Sequence, residues 1–312
     1  MQGKHDYGRF DFVGKIGLFG GISLALVVAS LIYLAVHGIT YGIDFVGGTE
    51  MQVKFGSGKV NIEQVRAIAD KQGLLNVGLQ SFGDGDEFII RFQTVHGKTD
   101  KETNDIQNKA VIELKDVITT QMKDSQPDIR RVDSVGPQVG AELKRDGLLA
   151  VFYCLLVILI YVALRFDYKY APGAVLCLAH DAIITLALFV ASGREVNIPI
   201  LAAVLTLIGY SLNDTIVVFD RIRETEGLYH DRGTRFVINK AINDMFERTI
   251  ITSGTTFVSA LCLFLLAGGT VGDISFAMVI GIVFGTYSSI YVAAPLILFM
   301  EHFKSAPKKV TA

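Results

Sequence analysis

The chain has 312 residues, 51% of them hydrophobic, with a mean hydropathy of +0.43 and a formal net charge of −2. Of its 29 basic and 31 acidic side chains, only Asp181 and Asp214 fall within the six stretches 16–36, 148–164, 171–191, 198–219, 250–267 and 274–300. Apolar runs of that length match a hydrocarbon core of about 30 Å, which takes roughly 17–25 helical residues to cross. They exclude a soluble enzyme, a secreted disulfide scaffold and a disordered chain, and the balanced charge gives no general attraction to nucleic acid.

In chain order, residues 1–15 form a short N-terminal segment carrying Lys4, Arg9 and Lys15. The first span, 16–36, is too long for a signal-peptide core and lacks a clear small-x-small cleavage site, so it is expected to be a retained anchor. Residues 37–145 make one long polar insertion. Spans at 146–164, 171–191 and 198–220 follow, then a basic segment at 221–249, spans at 250–268 and 274–300, and a tail at 301–312. Lys and Arg of the short loops concentrate at the N-terminus, at 165–170, at 221–249 and in the tail, whereas 192–197 has Arg194 alone and 268–273 has none. The bias of positive charge toward the cytoplasm then predicts both termini inside and 37–145 outside.

The insertion carries its own periodicity. A strand is predicted at 45–55, ending in Met51, Val53 and Phe55. A helix at 61–73 has Ile62, Val65, Ile68 and Ala69 on one face, with Gly73 as its C-cap. Strands at 76–82 and 87–93 flank the turn Gly83-Asp84-Gly85-Asp86, a helix at 101–122 repeats Ile106, Ala110, Leu114 and Val117, and a last strand at 128–135 stops before Gly136-Pro137. The order β-α-β-β-α-β is the ferredoxin-like arrangement. The expected fold is therefore an α-helical membrane protein of six transmembrane helices, with an α+β ferredoxin-like external domain between the first and second. His96 stands alone in a loop beside Gly97 and points to no chemistry.

The candidate site follows from the two acids. An ionised carboxylate at a helix centre costs roughly 2.5–3.5 kcal/mol on insertion scales, so each needs a partner, water or a proton. Asp214 sits in Gly209-Tyr210-Ser211-Leu212-Asn213-Asp214-Thr215, a polar run inside an apolar helix, with Ser211 one turn earlier on its face. The fifth span opens on Arg248-Thr249 and places Thr252, Thr256 and Ser259 along one side. An acid whose cationic neighbour comes and goes is a proton relay. Asp214, Arg248, Asn213, Ser211, Thr252, Thr256 and Asp181 are thus the proton-coupling candidates. The alternatives stay open: a fixed helix–helix hydrogen bond for Asp214 or Asp181, and a cytoplasmic anchor for Arg248. Cys154, Cys177 and Cys262 all lie in apolar spans, with no metal-ligand spacing, and are read as packing. The spacing of Ala277, Gly281, Gly285 and Ser289, and of Gly17 and Gly21, is read as close helix approach. Pro295 should bend the last helix.

The run Tyr41-Gly42-Ile43-Asp44-Phe45-Val46-Gly47-Gly48-Thr49 resembles the first signature of the SecD/SecF family. Residues 209–224, Gly-Tyr-Ser-Leu-Asn-Asp-Thr-Ile-Val-Val-Phe-Asp-Arg-Ile-Arg-Glu, resemble the fourth-helix motif of its SecF branch. Arg248-Thr249 with Thr252-Ser253 and Thr255-Thr256 resembles the fifth-helix motif, and Gly285-Thr286-Tyr287-Ser288-Ser289-Ile290-Tyr291 is similar to the sixth. The resemblance runs through the whole chain in order. Val46 and Phe219 depart from residues common in the family, Thr and Ser.

The resemblance implies an accessory subunit of the Sec protein-export machinery in the bacterial inner membrane, built as half of a resistance-nodulation-division-type transporter. It would pair with SecD, join the SecYEG channel and YajC, and use the proton-motive force on translocating preproteins. It makes Asp214 and Arg248 the leading pair and gives Gly42, Asp44, Gly47, Gly48 and Thr49 a structural role at the exit from the first helix. No enzymatic activity and no cofactor are expected, and the sequence holds no Gly-rich Lys-Ser/Thr nucleotide motif. The coupling ion is expected to be H⁺, with Na⁺ left open. The rival readings are a proton-coupled exporter of lipids or small hydrophobic molecules, which would usually carry the six-helix unit twice, and a passive scaffold.

Overall fold

The computed structural model describes residues 7–56, 60–82, 86–95, 97–166 and 170–304. Gly83, Asp84 and Gly85 of the expected turn, His96, and the charges of Lys4, Lys169, Lys308 and Lys309 lie outside these residues.

The chain divides into two compact units. One comprises Thr40–Leu149 together with Glu195–Ile198. Its sheet is β1 (Gly48–Phe55), β2 (Leu75–Phe82), β3 (Glu87–Gln93) and β4 (Pro127–Val135), ordered β2-β3-β1-β4 and antiparallel throughout. The strands alternate as a half-buried sheet requires. Thr49, Met51, Val53 and Phe55 of β1 turn inward, and Glu50, Gln52 and Lys54 turn away. The inward residues meet Phe88, Ile90 and Phe92 of β3 and the apolar faces of two helices, through Val65 and Ala69 on one and Leu114 and Ile118 on the other.

Ahead of the sheet lies one helical turn, α2 (Ile43–Val46), which replaces the start of the strand expected at 45. The break is built by glycine: Gly47 and Gly48 take φ of +75° and +140°, which no β-branched strand former adopts cheaply. The two crossing helices are α3 (Ile62–Asp70) and α4 (Asp100–Gln121). Asn61 caps α3 in a reciprocal box with Gln64, and the Thr99 hydroxyl accepts the Glu102 N–H at the start of α4. The cap residue at the end of α3 is Lys71; Gly73, at φ +67°, reverses the chain two residues later.

The second unit comprises residues 1–39, Ala150–Arg194 and Pro199–Ala312. Among the described residues six helical segments are long and apolar enough to cross a membrane. They are α1 (Ile16–His37), α5 (Pro137–Arg165), α6 (Ala171–Ala191), α7 (Ile198–Leu228), α8 (Thr234–Leu266) and a last segment made of α9 (Gly269–Ser288), a π-helical turn (Ser289–Ala293) and α10 (Ala294–Lys304). Several helices outrun the apolar stretches. α5 starts at Pro137 rather than 146, with proline at the first helical position, where its missing N–H costs nothing. The basic segment 221–249 is helical except for 229–233, because α7 runs on to Leu228 and α8 already begins at Thr234. The π turn directly precedes Ala294-Pro295: proline has no N–H for the carbonyl four residues back, so the ladder widens there.

Tyr170, Leu178, Ile208, Phe219, Ile238 and Ile290 belong to the core of this unit. The outer faces of α1 and α5 expose Leu18, Leu24 and Val36, and Phe152, Val157 and Leu164, the distribution expected of surfaces bathed in lipid. Gly17 and Gly21 lie on that outer surface with nothing within 4 Å, so among the described residues their spacing packs against no other helix; α1 instead buries Ser23 and Ser30. Ala277, Gly281, Gly285 and Ser289 are all buried. At the N-terminal end, the buried amide of Asn239 accepts the N–H groups of Phe12 and Val13 and donates to the carbonyls of Tyr7 and Phe10.

Candidate functional site

Asp214 faces inward from α7, 4% exposed, and its Oδ2 accepts the Ser253 hydroxyl of α8 at 2.9 Å. Arg248, five residues before Ser253 on α8, is exposed. Among the described residues no ion pair joins its guanidinium to Asp214. An apolar helix thus holds a carboxylate against a neutral hydroxyl, with a cation nearby but not in contact.

The other candidates separate from Asp214. Ser211, one turn earlier on the same helix, donates to Asp181 Oδ2 at 2.5 Å. Asn213 is exposed, together with Gly209, on a different side of α7. Thr252 is also exposed; its carbonyl accepts the hydroxyls of Thr255 and Thr256, while the Tyr210 hydroxyl reaches Thr256 Oγ1 at 3.3 Å. The side of α8 that meets Asp214 is marked by buried Thr249 and Ser253, not by the Thr252–Thr256–Ser259 stripe. Both stripes have helical spacing, so periodicity alone did not choose between them.

Asp181 lies on α6, 1% exposed. Its Oδ1 meets His180 Nδ1 at 2.8 Å, and its Oδ2 accepts the hydroxyls of Ser211 and, at 2.8 Å, Ser288 of α9. Ser288 also lies 3.1 Å from Cys177 Sγ, which places that thiol in polar rather than purely apolar company. Gly285 makes the crossing possible, since a Cβ there would stand 3.3 Å from Ser211 Cβ and 3.6 Å from Asp181 Oδ2. Sequence reasoning noted His180 as the one polar neighbour of Asp181 but did not select Ser253 or Ser288 as partners; each of those serines stands inside a polar run whose neighbours looked equivalent. Among the described residues no group of three or more His, Cys, Asp or Glu is arranged to hold a metal.

The signature residues sit together in the other unit. The Gly42 N–H donates to Val196 O at 2.8 Å, and the Val196 N–H donates to Thr40 O at 2.8 Å. Asp44 Oδ2 accepts the Ile198 N–H at 3.0 Å. Gly47 approaches Pro137, Gly48 approaches the Phe92 carbonyl, and the buried Gln107 of α4 donates to Gly48 O at 2.7 Å and to Thr49 Oγ1 at 3.1 Å. Thr49 Oγ1 also lies 2.7 Å from Ser134 Oγ.

These features describe a multi-pass membrane protein with an α+β domain inserted after its first helix and two carboxylates buried among its helices. The model for "Protein export membrane protein SecD/SecF, C-terminal" matches residues 115–302, and that for the "SecD/SecF GG Motif" matches residues 32–58. Protein translocase subunit SecF of Calditerrivibrio nitroreducens is 40% identical over 302 residues, 95% of each chain. The subunit of the same name from Vibrio alginolyticus is 39% identical over 276 residues, covering 88% of this chain and 85% of its own. The crystal structure of SecDF, a translocon-associated membrane protein from Thermus thermophilus, superposes with a TM-score of 0.82 at 31% identity. That match covers 94% of this chain and 39% of the SecDF chain, so the present chain corresponds to well under half of it. A second SecDF structure, in a super-membrane-facing form, gives a TM-score of 0.69 at 31% identity. The chain belongs to the SecD/SecF family of protein-export membrane proteins.

Proposed function

We propose that this chain is an accessory subunit of Sec protein export, working with a SecD-type partner and drawing on the proton-motive force. The relatives named as SecF translocase subunits support the export role, and they do not favour the exporter of lipids or small molecules. The coupling rests on one observation: a carboxylate buried in a membrane helix whose hydrogen-bond partner is a neutral hydroxyl. Such a group holds a proton at little cost in the membrane and needs a cation to stand there as an anion. Arg248 supplies that cation when it swings toward Asp214, and the acid is reloaded when it withdraws. Each proton crossing 100 mV releases about 2.3 kcal/mol, enough for a few to reposition a domain.

In this reading both termini face the cytoplasm, the ferredoxin-like domain faces the periplasm, and the SecYEG channel and YajC complete the assembly in the inner membrane. No cofactor takes part; H⁺ is the coupled ion, and Na⁺ is the alternative to be separated by experiment. The test is preprotein export into inverted membrane vesicles with and without a proton gradient. Asp214→Asn should reach the membrane at normal levels and lose the gradient-stimulated part of export. Full gradient response in that variant overturns the coupling role, and a response that follows Na⁺ replaces H⁺ as the ion.

A further inference from the structure

The buried pair His180–Asp181 takes no part in the reading of Asp214. Adjacent residues on a helix do not normally face each other, yet the imidazole Nδ1 and the carboxyl Oδ1 stand 2.8 Å apart, 5% and 1% exposed. The far nitrogen, His180 Nε2, is enclosed and among the described residues has no hydrogen-bond partner. Polar atoms buried so completely are nearly always paired.

The surroundings fix the charge balance. On α6 the titratable neighbour is Cys177; on α9 it is Tyr287, whose ring stacks 6.4 Å from the imidazole and whose hydroxyl donates to Phe19 O. The π turn adds Tyr291, 5.4 Å from Tyr287 ring to ring, α7 offers the hydroxyls of Ser211 and Thr215, and α1 offers Ser23. Among the described residues no Lys or Arg touches the cluster. A neutral imidazole beside an ionised Asp181 leaves one uncompensated negative charge in the bundle, which burial penalises by several kcal/mol. One added proton removes it. The neutral cluster is either an imidazolium–carboxylate pair or an imidazole hydrogen-bonded by a carboxylic acid. In both forms the additional N–H sits on Nε2, the atom without a partner.

We infer that His180 and Asp181 form a second proton-holding site, in series with Asp214 through Ser211. The inference rests on the reading of Asp214 as a proton carrier. Ser211 donates to Asp181 and precedes Asp214 by three residues on α7, a spacing that puts the two side chains on neighbouring positions of one helix face. Among the described residues no hydrogen bond joins Ser211 to Asp214, so passage between the acids requires the Ser211 hydroxyl to turn from Asp181 toward Asp214, releasing its proton to one acid as it accepts one from the other. Two acids sharing one relay keep the net charge of the bundle unchanged while a proton moves between them.

The experiment compares Asp181→Asn, His180→Gln, Ser211→Ala and Asp214→Asn in the intact export complex. Membrane levels are checked first, then gradient-stimulated export across pH, and the infrared carbonyl band of protonated carboxylic acids in pH-difference spectra. Asp181→Asn is expected to lose both the gradient-stimulated part of export and one pH-dependent carboxyl band. His180→Gln is expected to displace the pH profile, and Ser211→Ala to slow gradient-driven export while keeping the band. The inference falls if Asp181→Asn and His180→Gln match the parent in export and spectrum while Asp214→Asn loses its response. If Asp214→Asn itself keeps the response, the reading beneath it falls instead.

Discussion

Asp44 accepts the backbone N–H of Ile198, so a carboxylate of the signature behind the first membrane helix caps the first residue of α7, the helix that carries Asp214. The first-turn N–H groups of a helix have no partner within it, and a carboxylate there also complements the helix dipole. Pro199, next in line, has no N–H to satisfy. Replacing Asp44 by Ala is expected to lower stability by about 1 kcal/mol, with Asn retaining most of it. Unfolding of the purified protein in detergent measures the difference, and equal stability of Ala and Asn variants would remove the capping role.

The ferredoxin-like order was legible because each element carried its own period and stop signal: Ala69 closing one helical face ahead of Gly73, or the strand at 128–135 ending before Gly136-Pro137. The turn Ile43–Val46 was not, since four residues carry no period. Asp181 and Asp214 stood out because charge is so rare in apolar helices. Their partners on other helices did not. Periodicity says which residues share a face of one helix but not which helix lies opposite, so Ser211 seemed to serve Asp214 and in fact bonds Asp181.

The two kinds of glycine in the α+β unit make opposite demands. A Cβ on Gly48 would stand 2.9 Å from the Phe92 carbonyl, at a φ of +140°, whereas Gly73 at +67° has nothing within 4 Å. Gly73→Ala is expected to cost about 1 kcal/mol, the ordinary price of a left-handed residue. Gly48→Ala adds a backbone clash to its strain, for a total of roughly 3 kcal/mol. Hydrogen exchange along β1 and β3 should rise in Gly48→Ala alone; equal protection in both variants would contradict the close approach.

Within the membrane unit, Gly281 of α9 is pressed against Leu207 of α7, whose methyl carbons would lie 2.2 and 2.3 Å from a Cβ there. Leu207 is 1% exposed and cannot swing away. Gly281→Ala is therefore expected to destabilise by roughly 1–3 kcal/mol. Adding Leu207→Ala should recover part of that loss, because the second change vacates the space the first one needs. Thermal unfolding of the two single variants and the double variant measures the coupling; strictly additive losses would mean that the two residues do not meet. Gly21→Ala, on the open face of α1, serves as the control and should leave the unfolding of the isolated chain unchanged.

Arg248 separates a mobile cation from a membrane anchor. An exposed arginine just ahead of the apolar stretch of a membrane helix usually does no more than hold the helix at the interface, a task lysine performs as well and methionine does not obstruct. Pairing with Asp214 asks for positive charge, and a planar, forked donor serves it better than a point charge. Arg248→Lys should therefore keep a reduced gradient-stimulated export, and Arg248→Met should lose it while reaching the membrane at normal levels. The same order should vanish in an Asp214→Asn background, where no carboxylate remains to receive the cation. Equal export from the Arg, Lys and Met proteins would assign Arg248 to anchoring and leave Asp214 to exchange its proton without it.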